Sequence, residues 1–305
     1  MKYFEPFSKI GFQLPHLNGE IFENSHCIKM NGDSLSKNLI EQCKSIVLNF
    51  SEKPKLAVIL VGDDEASHIY VNRKIKSCFN VGIQSVPYFF KSHEITQSQL
   101  IQRIQKLNDD RTITGILVQL PLPSHINSKN IIHSISPHKD VDGFTVQNQG
   151  KLMIDNVTPP LPCTPLGILL LLYSYRISIS KKNVVVIGRS QIVGRPAGMM
   201  MMHENATVTY CHSWTENLDL ITSQADILIT AMGKSNFIQS SMLKEKSIII
   251  DVGIHRNSEG KLNGDVHKNA ILKAGYLTPV PGGVGPMTIA CLLMNTVYLK
   301  RFEKI

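Results

Sequence analysis

The sequence predicts an α/β protein of two domains built around a parallel sheet, on three observations. Short aliphatic runs recur along the chain, helical spacing fills the gaps between them, and a proline-rich break falls near the middle. The runs are Leu56 to Val61, Thr114 to Leu120, Val184 to Ile187, Ala206 to Tyr210, Ile227 to Thr230 and Ile248 to Val252. Unbroken apolar runs of this kind are what strands buried on both faces require. Leu100, Ile101, Ile104 and Leu107 recur at the interval of a helical face, as do Ile40, Cys43, Ile46, Val47 and Phe50. Strands alternating with helices make βα units.

Pro159, Pro160, Pro162 and Pro165 precede a strongly apolar helix from Leu166, and the boundary is placed there. One domain is expected over 28–164 and another over 165–285, with 1–27 as an N-terminal extension that shows no motif. The last stretch, 286–305, carries Ile289, Leu292, Leu293, Thr296 and Leu299 at helical spacing. It reads as a closing helix whose apolar face needs a partner. A return to the first domain is open to it.

A chain of 305 residues with 43% hydrophobic content can bury the cores of two ordinary domains, or of one large one, without staples. Its 6 cysteines lie far apart with no paired spacing, which argues against a zinc site or a disulfide framework and fits a reducing cytoplasm. No apolar stretch approaches a bilayer span, and the first residues lack export and import patterns. The net charge of +8 is scattered rather than gathered into basic tracts, which disfavours nucleic acid. An anionic small ligand explains the excess, and so does a merely basic surface.

Val184 to Gly194 reads VVVIGRSQIVG, the strand, glycine turn and helix order that offers backbone N–H groups to a pyrophosphate. A tight strand-to-helix turn without a ligand has the same order. The next segment, ATVTYCHS, ends in Cys211, His212 and Ser213 where an NAD site places an acidic residue for the ribose hydroxyl. Arg189 sits in the glycine turn. A missing carboxylate and a present guanidinium favour a 2′-phosphate, and hence NADP.

Tyr70 and Lys74 are four apart and share one helical face, with Asp63 and Asp64 as candidate N-caps before them. The spacing suits either a substrate-facing pair or plain packing. Gln119 ends a strand in VQLPLP, and Asp142 precedes a glycine in HKDVDGF, where open α/β sheets gather ligand contacts. Asp140 reads as a residue that fixes its own turn. Pro279 to Pro286, PVPGGVGP, is nearly free of side chains, as a wall for a flat ligand or as a turn before the last helix.

The segments YVNRKIK, VQLPLP, KDVDGF, PCTP, GRSQIVGRP, ATVTYCHS and TPVPGGVGPMT together resemble the bifunctional methylenetetrahydrofolate dehydrogenase/methenyltetrahydrofolate cyclohydrolase family, from about residue 28 onward. The resemblance implies a catalytic domain from both chain ends, a Rossmann-like NADP-binding domain, a folate cleft and a homodimer acting on tetrahydrofolate derivatives. By position it makes Lys74 the cyclohydrolase residue, Tyr70 the aromatic that stacks on folate, Gln119 the partner that orients Lys74, and Asp142 the pterin anchor. Gly188, Arg189, Ser190, Ser213 and Ile254 would bind NADP, and Pro281, Gly282 and Gly283 would line the substrate site. Glu65 and the run Met199 to Met202 depart from the family pattern without touching these roles.

Overall fold

The computed structural model describes residues 1–155, 157–256 and 260–303. Helix α1 (Glu5–Ser8) is followed by strands β1 (Glu20–Ile21) and β2 (Ile28–Lys29), helix α2 (Gly32–Leu48), β3 (Lys55–Val61), α3 (Glu65–Val81) and β4 (Gln84–Phe90). Next come α4 (Gln97–Asp109), β5 (Gly115–Val118), α5 (Ser128–Ser134), α6 (Val146–Met153) and α7 (Cys163–Ser174). Strand β6 (Asn183–Ile187), helix α8 (Gly194–His203), β7 (Thr207–Cys211), α9 (Leu218–Thr222), β8 (Ile227–Thr230) and β9 (Ile248–Asp251) form the βα succession of the second half. A hairpin of β10 (His255–Arg256) and β11 (Leu262–Asn263), then β12 (Tyr276–Leu277) and α10 (Val284–Arg301), complete the described chain.

The chain forms two compact units. One comprises Lys2–Gln13, Leu39–Leu161 and Leu292–Ile305. Its sheet has the order β4-β3-β5, parallel throughout, and the central strand β3 is buried along most of its length. Strand β4 lies at an edge, where Pro87 costs no ladder bond that a central strand would need. Helix α4 starts at a capping box between Thr96 and Gln99 and packs Leu100, Ile104 and Leu107 onto the sheet. At its far end, Lys139 Nζ donates to the carbonyls of Leu107 (2.8 Å), Asn108 (2.8 Å) and Asp110 (2.7 Å). That draws the following chain alongside β5, where Asp140 bridges Ile116.

The other unit comprises Leu14–Asn38 and Pro162–Cys291, with Met1 grouped there too. Its seven-stranded sheet has the order β1-β2-β12-β9-β8-β6-β7, parallel except for β1. Helix α7 is buried nearly all round, and Gly167 lets it approach α10: a Cβ there would stand 2.8 Å from Met287 Cβ. Met200 and Met201 of the methionine run are core residues.

These divisions differ from the expected boundaries at three places. Residues 28–38 go with the second unit because β2 adds to β12 in parallel and the Gly32 and Asp33 amides donate to the Gly282 carbonyl at 2.8 and 3.0 Å. The break after the prolines comes at Leu161 rather than at 164. The start of α10 groups with the second unit and its end with the first, and its burial is nearly all-round from Ala290 to Val297 instead of confined to one face. Lys304 and Ile305, the end of the expected segment, lie outside the described residues.

The N-terminal extension carries no sequence motif, yet it supplies core. Tyr3, Phe4, Phe7 and Phe12 are buried. Phe7 meets Phe12 edge-on at 6.1 Å between centroids and Tyr298 at 5.8 Å. Beyond them, Gln13 N donates to Gln42 Oε1 while Gln42 Nε2 donates back to Gln13 O.

Candidate active site

Helix α3 begins with Asp64 as its N-cap, the carboxylate accepting from Ser67 N at 2.8 Å, and ends at Gly82 in the left-handed region. One turn beyond Tyr70, Lys74 points inward and is only 5% exposed. Its Nζ donates to Gln119 Oε1 at 3.1 Å and lies 4.8 Å from the centre of the half-buried Tyr70 ring. Gln119 follows β5 and is itself buried, its Nε2 donating to Leu120 O at 2.6 Å. Both ends of that amide are committed, so its oxygen is held toward Lys74. A buried ammonium or amine needs such a partner, because desolvation without one costs several kcal/mol, roughly.

Cys78, one turn further along α3, is buried, and that burial pushes its thiol up to about 11 against the opposing pull of Ser85 and of the Lys74 charge.

Asp142 stands half-buried on the loop after Asp140, before Gly143 at φ +68°. Two neighbours hold that loop. Asp140 Oδ2 accepts from Thr145 N at 2.8 Å and from Asn148 Nδ2 at 2.9 Å, as its reading as a turn residue anticipates. Asn295, fully buried on α10, donates to the Val141 and Leu161 carbonyls at 2.8 Å each. A buried asparagine in an apolar-looking helix is the sequence trace of this brace, and sequence reasoning passed over it.

In the second unit, β7 and β8 flank β6 on opposite sides, so the carboxyl end of β6 is a topological switch point. Gly188 stands there at φ +122°, and a Cβ would meet the Ala231 carbonyl oxygen at 2.4 Å. Gly194 packs just as tightly, its would-be Cβ 2.1 Å from Gly188 O. These contacts make a cradle that any side chain would fill. Ser190 Oγ accepts from Val193 N at 3.2 Å and Gly194 N at 3.3 Å, leaving its proton to donate to a phosphate. Arg189 and Ser213 are exposed, Ser213 just past β7, whose end bears Cys211 and His212 and no carboxylate. Ile254, 58% exposed after β9, has its Cδ1 3.8 Å from where a Cβ on Gly285 would stand. Cradle, hydroxyl, guanidinium and missing carboxylate fit a dinucleotide carrying a 2′-phosphate.

Pro281, Gly282 and Gly283 fall in this same unit. They pack directly on the start of α2: a Cβ at Gly32 would stand 1.8 Å from Gly283 O. Gly282 has φ +97°. A Cβ at Gly283 would stand 2.5 Å from Pro279 O, so the close packing of this loop on α2 depends on glycine at 32, 282 and 283.

Residues 30–142 match the model of the tetrahydrofolate dehydrogenase/cyclohydrolase catalytic domain, and 162–304 match that of the tetrahydrofolate dehydrogenase/cyclohydrolase NAD(P)-binding domain. The bifunctional protein FolD of Anoxybacillus flavithermus is 51% identical over 276 residues, covering 89% of this chain and 97% of that relative. The bifunctional FolD structure from Campylobacter jejuni superposes with a TM-score of 0.87 at 46% identity, over 90% of this chain and 99% of its own. The Trypanosoma brucei methylenetetrahydrofolate dehydrogenase-cyclohydrolase, solved with NADP cofactor and inhibitor, does so with a TM-score of 0.86 at 32% identity, over 92% and 99%. The chain belongs to the tetrahydrofolate dehydrogenase/cyclohydrolase family.

Proposed function

We propose that Lys74, Tyr70, Gln119 and Asp142 serve both steps of a bifunctional enzyme. The chain oxidises 5,10-methylenetetrahydrofolate to the methenyl form with NADP and hydrolyses that cation to 10-formyltetrahydrofolate, the activities of its family. NADP, when bound, accepts the hydride. The observation that carries the site assignment is the buried Lys74–Gln119 hydrogen bond beside the Tyr70 ring.

For the oxidation the protein supplies geometry. Tyr70 offers a ring face for the flat part of the folate, and Asp142 offers a carboxylate to the donor edge of the pterin. No proton has to leave in that step, so no general base is needed. Hydrolysis is different. As water adds to the bridging carbon, its surplus proton moves to Lys74 Nζ. Lys74 then returns that proton to N5 as the carbon–N5 bond breaks, and the new hydroxyl loses its own proton to solvent to become the carbonyl of the formyl group on N10. Gln119 holds Nζ in place through the 3.1 Å bond.

Gly188, Arg189, Ser190, Ser213 and Ile254 hold the cofactor, with Arg189 on the 2′-phosphate. Pro281, Gly282 and Gly283 form the wall against the substrate. The family resemblance also supports a homodimer, a cytoplasmic setting and supply of one-carbon units to purine biosynthesis; sedimentation velocity checks the first. The reading as a whole is tested by absorbance. With methylenetetrahydrofolate and NADP, NADPH should form while methenyl passes through a transient; no reduction with either NADP or NAD would overturn it.

A further inference from the structure

Two carboxylates beneath the cofactor site belong to none of the roles above. Asp251, 4% exposed at the end of β9, accepts from Gly253 N (2.9 Å), Asp265 N (3.0 Å) and Val266 N (2.9 Å), and from Thr230 Oγ1 (3.3 Å). Asp265, fully buried, accepts from Met232 N and Lys234 N at 2.9 Å each and from His255 Nε2 at 2.8 Å. Together they take up backbone donors from the turn after β8, the turn after β9 and residues 265–266 just past the hairpin. No space is left over. A Cβ at Gly253 would stand 2.4 Å from Asp265 Oδ1, and one at Gly264 would stand 1.9 Å from Asp251 Oδ2. Each carboxylate is thus closed over by a glycine of the opposing segment.

Ile254 lies between two residues that Asp265 holds, Gly253 by packing and His255 by hydrogen bond, while its own side chain is turned out to solvent. Ala231, whose carbonyl fits against Gly188, precedes Met232, whose amide Asp265 also holds. One buried side chain therefore fixes the two turns that flank the cofactor cradle. We infer that Asp265, backed by Asp251 and locked by His255, is the positioning residue that presents Ile254 and the Ala231–Lys234 turn to NADP. The inference rests on the assignment of Ile254 to cofactor binding given above. Fixed contacts favour binding because the ordering cost is met in folding rather than at binding.

The test is NADPH affinity by fluorescence titration of the full chain, with thermal melts to confirm folding. Asp265→Asn puts an amide N–H where backbone N–H groups need an acceptor, and should weaken NADPH about tenfold, a loss matching one or two hydrogen bonds. His255→Leu should weaken it several-fold, about the effect of one hydrogen bond, and His255→Gln, whose amide reaches the same oxygen, should recover most of that. The loss should fall on the KM for NADP more than on kcat. Equal weakening by His255→Leu and His255→Gln would overturn the inference, as would folded Asp265 and His255 variants that bind NADPH like the parent while Ile254→Ala weakens it. Parent-like binding by Ile254→Ala would instead overturn the cofactor assignment beneath it. If Asp265→Asn does not fold, the two His255 variants decide.

Discussion

Lys74 Nζ donates to Gln119 Oε1 across 3.1 Å, and both side chains are almost wholly withdrawn from solvent. The Gln119 amide is fixed at its other end by the Leu120 carbonyl, so the lysine has one orientation rather than a sweep of rotamers. Gln119→Leu keeps the volume and removes the bond. Hydrolysis of methenyltetrahydrofolate should fall by about one to two orders of magnitude, given that a hydrogen bond to a charged group contributes about 1.5–3 kcal/mol. Steady-state hydrolysis rates check this, and a parent-like rate would free Lys74 from its supposed dependence on Gln119.

Arg189 is exposed in the turn after β6, and the neighbouring strand β7 ends without an acidic residue. Arg189→Ala should weaken NADP by roughly one to two orders of magnitude and change NAD little, the loss of a charge-assisted bond to phosphate. Titrations with both nucleotides measure it. Equal losses for the two would remove the phosphate assignment.

Phe7 is fully buried between Phe12 and Tyr298. Phe7→Ala should cost about 3–5 kcal/mol through lost transfer and a cavity. For a domain of this size that lowers the melting temperature by on the order of ten degrees. A scanning melt without such a drop would mean that the extension is a passive cover.

All 6 cysteines are buried, with burial pushing Cys27 up to about 12 and Cys78 up to about 11. Thiolate is the reactive form, so native protein at neutral pH should react with almost none of its thiols toward an aromatic disulfide, and unfolded protein with all of them. Rapid labelling of a native thiol would contradict this burial.

Strands β3, β5, β6, β8 and β9 were legible because each is a continuous apolar run, and the start of α3 was legible because Asp64 caps it. Strand β4 was missed. Its alternation, QSVPYFF, is interrupted by a proline that only an edge tolerates. Strands β1, β2 and β12 have two residues each, too short for any period, and their places come from pairing between distant segments. The same reason hid the core role of residues 3–12, whose aromatics sit in and beside a single helical turn. Lys74, Tyr70 and Gln119 were readable as residue types in the right order, but their meeting depends on α3 packing near the end of β5. Asp251 and Asp265 had a signal in hindsight: each adjoins a strand end and a glycine in DVG and GDV, the pattern of a carboxylate closed against backbone.

The most direct measurement of the shared-site account is the product balance of Lys74→Met. Hydride transfer needs geometry, which the methionine stem preserves in part beside Tyr70, whereas hydrolysis needs the proton that Nζ takes. Supplied with methylenetetrahydrofolate and NADP, the folded variant should form NADPH and accumulate methenyltetrahydrofolate, with hydrolysis down by about 10²–10⁴. A folded Lys74→Met that hydrolyses methenyltetrahydrofolate at the parent rate would make Lys74 a packing residue and contradict the account.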